Sequence, residues 1–108
     1  MKKVKLGKDG PFTNRIGFGG WGIGGQTPGN SSYGKTNDKT SCEAIQTAID
    51  RGVTFFDTSP AYGNGVSERL IGKVLKPYRK KVLISSKVES DLILLAKYET
   101  IIMFPFTY

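Results

Sequence analysis

Hydrophobic and polar positions along this chain change period several times, and each change marks an element. Short alternating stretches at residues 2–16, KKVKLGKDGPFTNRI, flank Lys8-Asp9-Gly10, and Asp-Gly between apolar positions predicts a hairpin. Arg15–Phe18 gives a short strand that runs into glycine. Over Thr40–Arg51 the apolar residues Ala44, Ile45, Ala48 and Ile49 share one helical face, with Thr40 and Glu43 spaced as a capping box and Gly52 as the stop. The run Val53–Phe56 predicts a buried strand, followed by a polar loop from Asp57 to Val66. Ser67–Tyr78 returns to the helical period, with Leu70, Ile71, Val74 and Leu75 toward the core and Pro77 near its end. Lys81–Lys87, KVLISSK, is a further strand that ends in a charge. The order hairpin, β, α, β, α, β predicts right-handed parallel crossovers. In an α/β protein of that kind the chemistry sits past the C-terminal ends of the strands.

Two stretches break the pattern. Gly17–Thr36 is too rich in glycine for regular structure and predicts a long loop, of a length that is usually functional; the alternative over Thr27–Lys39 is a disordered insertion. Past Val88, SDLILLAKYE reads as a helix and TIIMFPF as a strand, with Pro105 favouring an edge or an end. The chain thus divides into a patterned part, 1–88, and an atypical tail, 89–108.

Composition narrows the class. The 108 residues, 38% hydrophobic and 23% charged, fit one soluble globular domain at most. The formal charge of +7 is spread along the chain in short clusters, which reads as a solvated basic surface or a match to an anionic small ligand. No zinc-type spacing or RNA-binding signature supports a nucleic-acid partner. A single cysteine, Cys42, permits no internal disulfide and suits a reducing compartment. Without an apolar signal core or an apolar run of about 18 residues, the expectation is a cytoplasmic protein with no membrane partner. The sequence has no histidine, which removes the commonest general base and metal ligand.

Three constellations carry candidate chemistry. Gly17-Phe-Gly-Gly-Trp-Gly22 matches G-x-G-x-x-G, but a dinucleotide fingerprint needs a helix to begin there, and IGGQTPGN cannot supply one. Gly29–Thr36 fits the phosphate-loop pattern G-x-x-x-x-G-K-T, but such a loop must hang between a buried strand and a helix, and WGIGGQTP is no strand. The third is Asp57, Tyr62 and Lys87. Asp57 and Tyr62 follow one strand and Lys87 ends the next, so parallel strands would bring all three to one mouth. A tyrosine beside an ammonium is a plausible general acid, because the cation favours the phenolate, while a carboxylate holds the lysine in place. The bland alternative has Asp57 capping the loop, Tyr62 packing and Lys87 solvated.

The residues Asp57-Thr-Ser-Pro-Ala-Tyr-Gly63, Gly65-x-Ser-Glu68, Ile71-Gly72 and Ser86-Lys87 resemble, in order and spacing, the signature of the aldo-keto reductases. Gly17-Phe-Gly-Gly-Trp21 resembles that family's first-strand loop, and the opening hairpin resembles the plug at the bottom of its barrel. The resemblance covers about Lys3 to Val88 and is closest to the branch related to potassium-channel β subunits. It implies an α/β fold, the N-terminal part of a (β/α)8 barrel: a hairpin plug and about three parallel βα units, with the barrel incomplete. It implies an oxidoreductase that reduces aldehydes or ketones with NADPH or NADH. Tyr62 would protonate the carbonyl oxygen, Lys87 would tune Tyr62, and Asp57 would pair with Lys87. Gly20, Trp21, Gln26 and Asp57 would contact the cofactor, and Trp21 could instead line the substrate pocket or anchor its loop.

The family's fourth catalytic residue is a histidine, which this sequence lacks, and the tail past Val88 does not resemble the family. The expectation is therefore a shortened reductase without turnover of its own. The alternatives are a cofactor-binding or interaction module that self-associates through its open sheet edge, and nucleotide binding at Gly29–Thr36.

Overall fold

The computed structural model describes residues 2–27, 32–88 and 99–103. A two-stranded antiparallel hairpin, β1 (Lys3–Lys5) and β2 (Phe12–Asn14), opens the chain. The four-stranded sheet that follows has the order β3 (Phe18–Gly19), β4 (Phe55–Asp57), β5 (Leu83–Val88), β6 (Glu99–Met103). β3, β4 and β5 run parallel, and helices α1 (Asp38–Asp50) and α2 (Val66–Leu75) connect them. That is the local order of the barrel implied by the sequence, although no closed barrel forms among the described residues. β6 runs antiparallel to β5. The predicted tail strand, 100–106, is therefore present over 100–103 at the edge of this sheet and starts one residue early, at Glu99, which the sequence placed at the end of a helix. Residues 90–98 of that helix and 104–106 of the strand lie outside the described residues.

The core lies between one face of the sheet and the two helices. Phe56, Ile45, Leu70, Ile71, Leu75, Val82 and Ile23 form one buried cluster, with Phe18 tilted against Phe56 at 5.6 Å between ring centroids. A fully buried side chain of this size contributes about 1.5–3 kcal/mol, and Phe56 is fully buried. Because side chains alternate along a strand, burying Phe56 on the helix side sends Phe55 and Asp57 to the opposite face. The same alternation on β5 separates Ser86, which meets α2, from Lys87.

Several boundaries differ from the sequence reading, each for a local reason. The hairpin turn spans Leu6–Pro11, closed by the Leu6 N–H donating to the Pro11 carbonyl at 2.9 Å. Its left-handed residue is Gly7 (φ +69°) rather than a member of Asp9-Gly10, and Gly10 serves instead where a Cβ would collide with the Leu6 backbone. Helix α1 starts earlier than Thr40, because extended Asn37 caps it, its Oδ1 accepting from the Thr40 N–H at 3.0 Å. This replaces the Thr40–Glu43 box. Ala44, expected inside, is exposed, and Ser41 is buried in its turn. The stop holds: Gly52 takes φ +91°, its N–H donates to the Ile49 carbonyl, and that of Val53 to Ala48, a Schellman closure. α2 stops at Leu75 because Pro77 has no N–H for the ladder, and Lys76–Lys81 tightens into a 3₁₀ helix.

The hairpin is fastened to the sheet by Asn14, which is buried. Its Oδ1 accepts from both the backbone N–H and the hydroxyl of Thr54, at 2.6 and 2.7 Å. Among the described residues, no helix is long and apolar enough to cross a membrane.

Candidate active site

The parallel run of β3, β4 and β5 brings three strand ends to one mouth. β3 leads into Gly20 and a 3₁₀ turn, Trp21–Ile23, whose Ile23 is buried in the core and holds the turn down. β4 ends at Asp57, and its loop carries Tyr62. β5 carries Lys87 next to its last residue.

Asp57, Tyr62 and Lys87 meet as the spacing predicts. The Lys87 Nζ donates to the Tyr62 phenol oxygen at 3.1 Å and lies 3.5 Å from the Asp57 Oδ2. A third bond, to the Thr58 carbonyl at 2.9 Å, completes its set of acceptors, so each ammonium proton has a partner. Burial by itself lowers the pKa of Lys87, but the hydrogen bond to Tyr62 and the negative charge of Asp57 outweigh it, and the net pKa is raised. The lysine therefore stays charged at neutral pH. Its cation takes an acceptor site on the Tyr62 oxygen and leaves the phenol O–H directed elsewhere, which suits proton donation.

Gly20 and Trp21 join this corner, each for a steric reason. The Gly20 N–H donates to the Asp57 carbonyl at 2.7 Å, and a Cβ on Gly20 would stand 2.6 Å from the Ser67 Oγ and 2.7 Å from the Asp57 oxygen. Trp21 stacks against Tyr62 (6.4 Å, 28°) and packs at 4.6 Å on Tyr33. It remains 39% exposed, so part of its ring is open to a ligand. Gly19, paired in register with Asp57, has open space where a Cβ would stand. Gln26 is exposed further along the same loop.

Sequence reasoning missed four contributors. The Thr58 carbonyl has no side-chain signal at all. Tyr33 sits within the phosphate-loop-like stretch, which concealed its partnership with Trp21. Ser67 and Glu68 were read as the opening of a helix, yet Ser67 is fully buried in hydrogen bonds to Gly20 and Thr58, and Glu68 accepts from Ser86. As for Gly29–Thr36, residues 29–31 lie outside the described residues. Gly34-Lys35-Thr36 precedes α1, which begins at Asp38, so this lysine and threonine are not on a helical first turn.

Comparison with known proteins bears on the same residues. The sequence profile of the aldo/keto reductase family matches residues 15–103. An aldo-keto reductase of Bacillus subtilis, YhdN, is 41% identical over 93 residues, covering 84% of this chain and 27% of the relative. The NADH-specific methylglyoxal reductase of Escherichia coli is 35% identical over 89 residues, covering 81% and 26%. The chain thus spans about a quarter of the length of these curated relatives. Among solved structures, the glycerol dehydrogenase AKR11B4 of Gluconobacter oxydans superposes with a TM-score of 0.61 at 24% identity, over 94% of this chain and 30% of that one. That likeness establishes the fold, a stretch of an α/β barrel.

Proposed function

Because the chain belongs to the aldo/keto reductase family, we propose that it supplies the proton-donating corner and part of the cofactor site of an NAD(P)H-dependent reductase of aldehydes or ketones. The observation that carries this reading is the 3.1 Å bond from the Lys87 ammonium to the Tyr62 oxygen. Tyr62 donates its proton to the carbonyl oxygen as negative charge develops there. Lys87 stabilises the phenolate left behind, and Asp57 and the Thr58 carbonyl keep the ammonium aimed. Electrostatic support of this kind is strongest when it is already in place before reaction.

The residues present fit a nicotinamide cofactor. Trp21 offers an aromatic face, Asp57 a partly exposed carboxylate for ribose hydroxyls, and Gly19 an open approach. Bound there, the cofactor would supply hydride to the carbonyl carbon. Gly20 and Gln26 complete the proposed contacts, and NADPH is the form we favour over NADH.

A second reading is a cofactor-binding module without turnover. It is favoured by the face of Trp21, 39% exposed beside Tyr62, which suits an aromatic ligand whether or not a reaction follows.

Titration with NADPH, followed by the emission of the single tryptophan Trp21, tests both readings. Saturable quenching with carbonyl-dependent oxidation of NADPH supports the reductase, and quenching without oxidation supports the binding module. No quenching at millimolar NADPH removes both. ATP serves as the control, and quenching by ATP alone would favour nucleotide binding at Gly29–Thr36.

A further inference from the structure

Two adjacent residues on the first turn of α2 reach all three strand ends at the mouth. Ser67, fully buried, donates its hydroxyl proton to the Gly20 carbonyl at 2.7 Å. A serine has one proton to give, so at the 2.9 Å contact between the two hydroxyls Thr58 is the donor and Ser67 the acceptor. Glu68 accepts from the Ser86 hydroxyl at 2.6 Å, and Ser86 immediately precedes Lys87. Ser67 thereby fixes the residue before Trp21 and the residue whose carbonyl receives the Lys87 ammonium. Glu68 fixes the strand from which that ammonium projects.

We propose that Ser67 and Glu68 are positioning residues, which register the ends of β3, β4 and β5 so that Lys87 reaches the Thr58 carbonyl and Tyr62 together. The inference deepens the reading above, from which it takes the roles of Lys87 and Tyr62. Its geometry stands without that reading. The side chains arise from one helical turn, so no strand end can shift along its neighbour without breaking a bond to α2. Buried hydroxyl networks of this sort are effective at fixing one arrangement because each broken member leaves an unsatisfied group. The groups that face Lys87 are the Asp57 carboxylate on β4, the Tyr62 phenol on its loop and the Thr58 carbonyl.

The test follows the Lys87 side-chain resonances by NMR across alkaline pH in the full chain, with assignment by their loss in Lys87→Met. In Glu68→Ala the Lys87 titration should move down toward the ordinary lysine value, since the ammonium loses its place between its acceptors. Glu68→Gln keeps an oxygen acceptor for Ser86 but removes the charge, and should retain the wild-type titration. If Ala leaves the titration in place, or Gln moves it as far as Ala does, the positioning role is overturned. Should Glu68→Ala fail to fold, Ser86→Ala removes the same bond with no change of charge and is read in its place. None of these readouts requires NADPH. A chain that ignores the cofactor yet shows the Ala–Gln difference would therefore refute the proposed function and keep the inference.

Discussion

Gly24 and Gly63 touch through their backbones. A Cβ on Gly24 would stand 2.7 Å from the Tyr62 carbonyl carbon and 2.8 Å from the Gly63 nitrogen, while one on Gly63 would collide with the Gly24 carbonyl. Gly63 also holds φ +67°, where a side chain is strained. This contact brings the loop of Trp21 onto the loop of Tyr62. Gly24→Ala should therefore part the two loops at a cost of about 1–3 kcal/mol. Urea unfolding would show the loss, and a red-shifted Trp21 emission would show the parting. Unchanged emission would mean that Trp21 is held by Tyr33 instead.

The charge of Lys87 gives the protein an alkaline limit. Its folded pKa lies above the unfolded one, so the stabilisation is complete below about pH 10.4, the ordinary lysine value. It is lost as pH rises through the folded value. Stability measured by urea unfolding should be level in this respect through neutral pH and fall in the alkaline range. Lys87→Met should flatten that fall, and an equally steep fall in the variant would assign it to other groups.

Tyr62→Phe removes the O–H and keeps the ring that stacks on Trp21. Quenching of Trp21 by NADPH should survive, and any carbonyl reduction should drop by about 10²–10⁴-fold, the usual contribution of a general acid. Reduction that continues at the wild-type rate would place the proton donor elsewhere.

Asn14→Ala withdraws the oxygen that serves both the N–H and the hydroxyl of Thr54. Leaving such donors without a partner costs about 1–3 kcal/mol, which should lower the urea midpoint. Asn14→Asp preserves the acceptor and should recover most of the loss. Equal losses in the two variants would mean that the amide nitrogen, rather than the oxygen, was the important group.

The meeting of Asp57, Tyr62 and Lys87 was legible because a βα unit converts spacing into proximity. Asp57 and Lys87 each lie at the end of an apolar run, and parallel strands place such ends side by side. Phe56 was legible as core from its apolar run, and Leu70 from its helical period. The cap at Asn37 was not, because Thr40 and Glu43 three residues on offered the same chemistry. Ala44 was misplaced because a small residue beside the apolar stripe carries little information about which way the stripe faces. The Thr58 carbonyl and the Gly24–Gly63 contact could not be read, since backbone atoms leave no mark in the pattern of side chains. The reversal of β6 was equally hidden, as an apolar strand reads the same in either direction.

That reversal also bears on the order in which the sheet assembles. Val88 pairs with Glu99 and the pairing proceeds back to Ile84 and Met103, whereas the parallel pairs Phe56–Ile84 and Phe18–Phe56 join positions far more distant in sequence. Closing a short loop loses less chain entropy than closing a long one, so β5 and β6 are expected to zip together before either parallel pairing forms. Lys87 would then be held in a strand pair before Asp57 and Tyr62 arrive, and the site would be completed last. Pulse-labelled hydrogen exchange during refolding should find the β5 amides protected ahead of those in β4, and the reverse order would refute it.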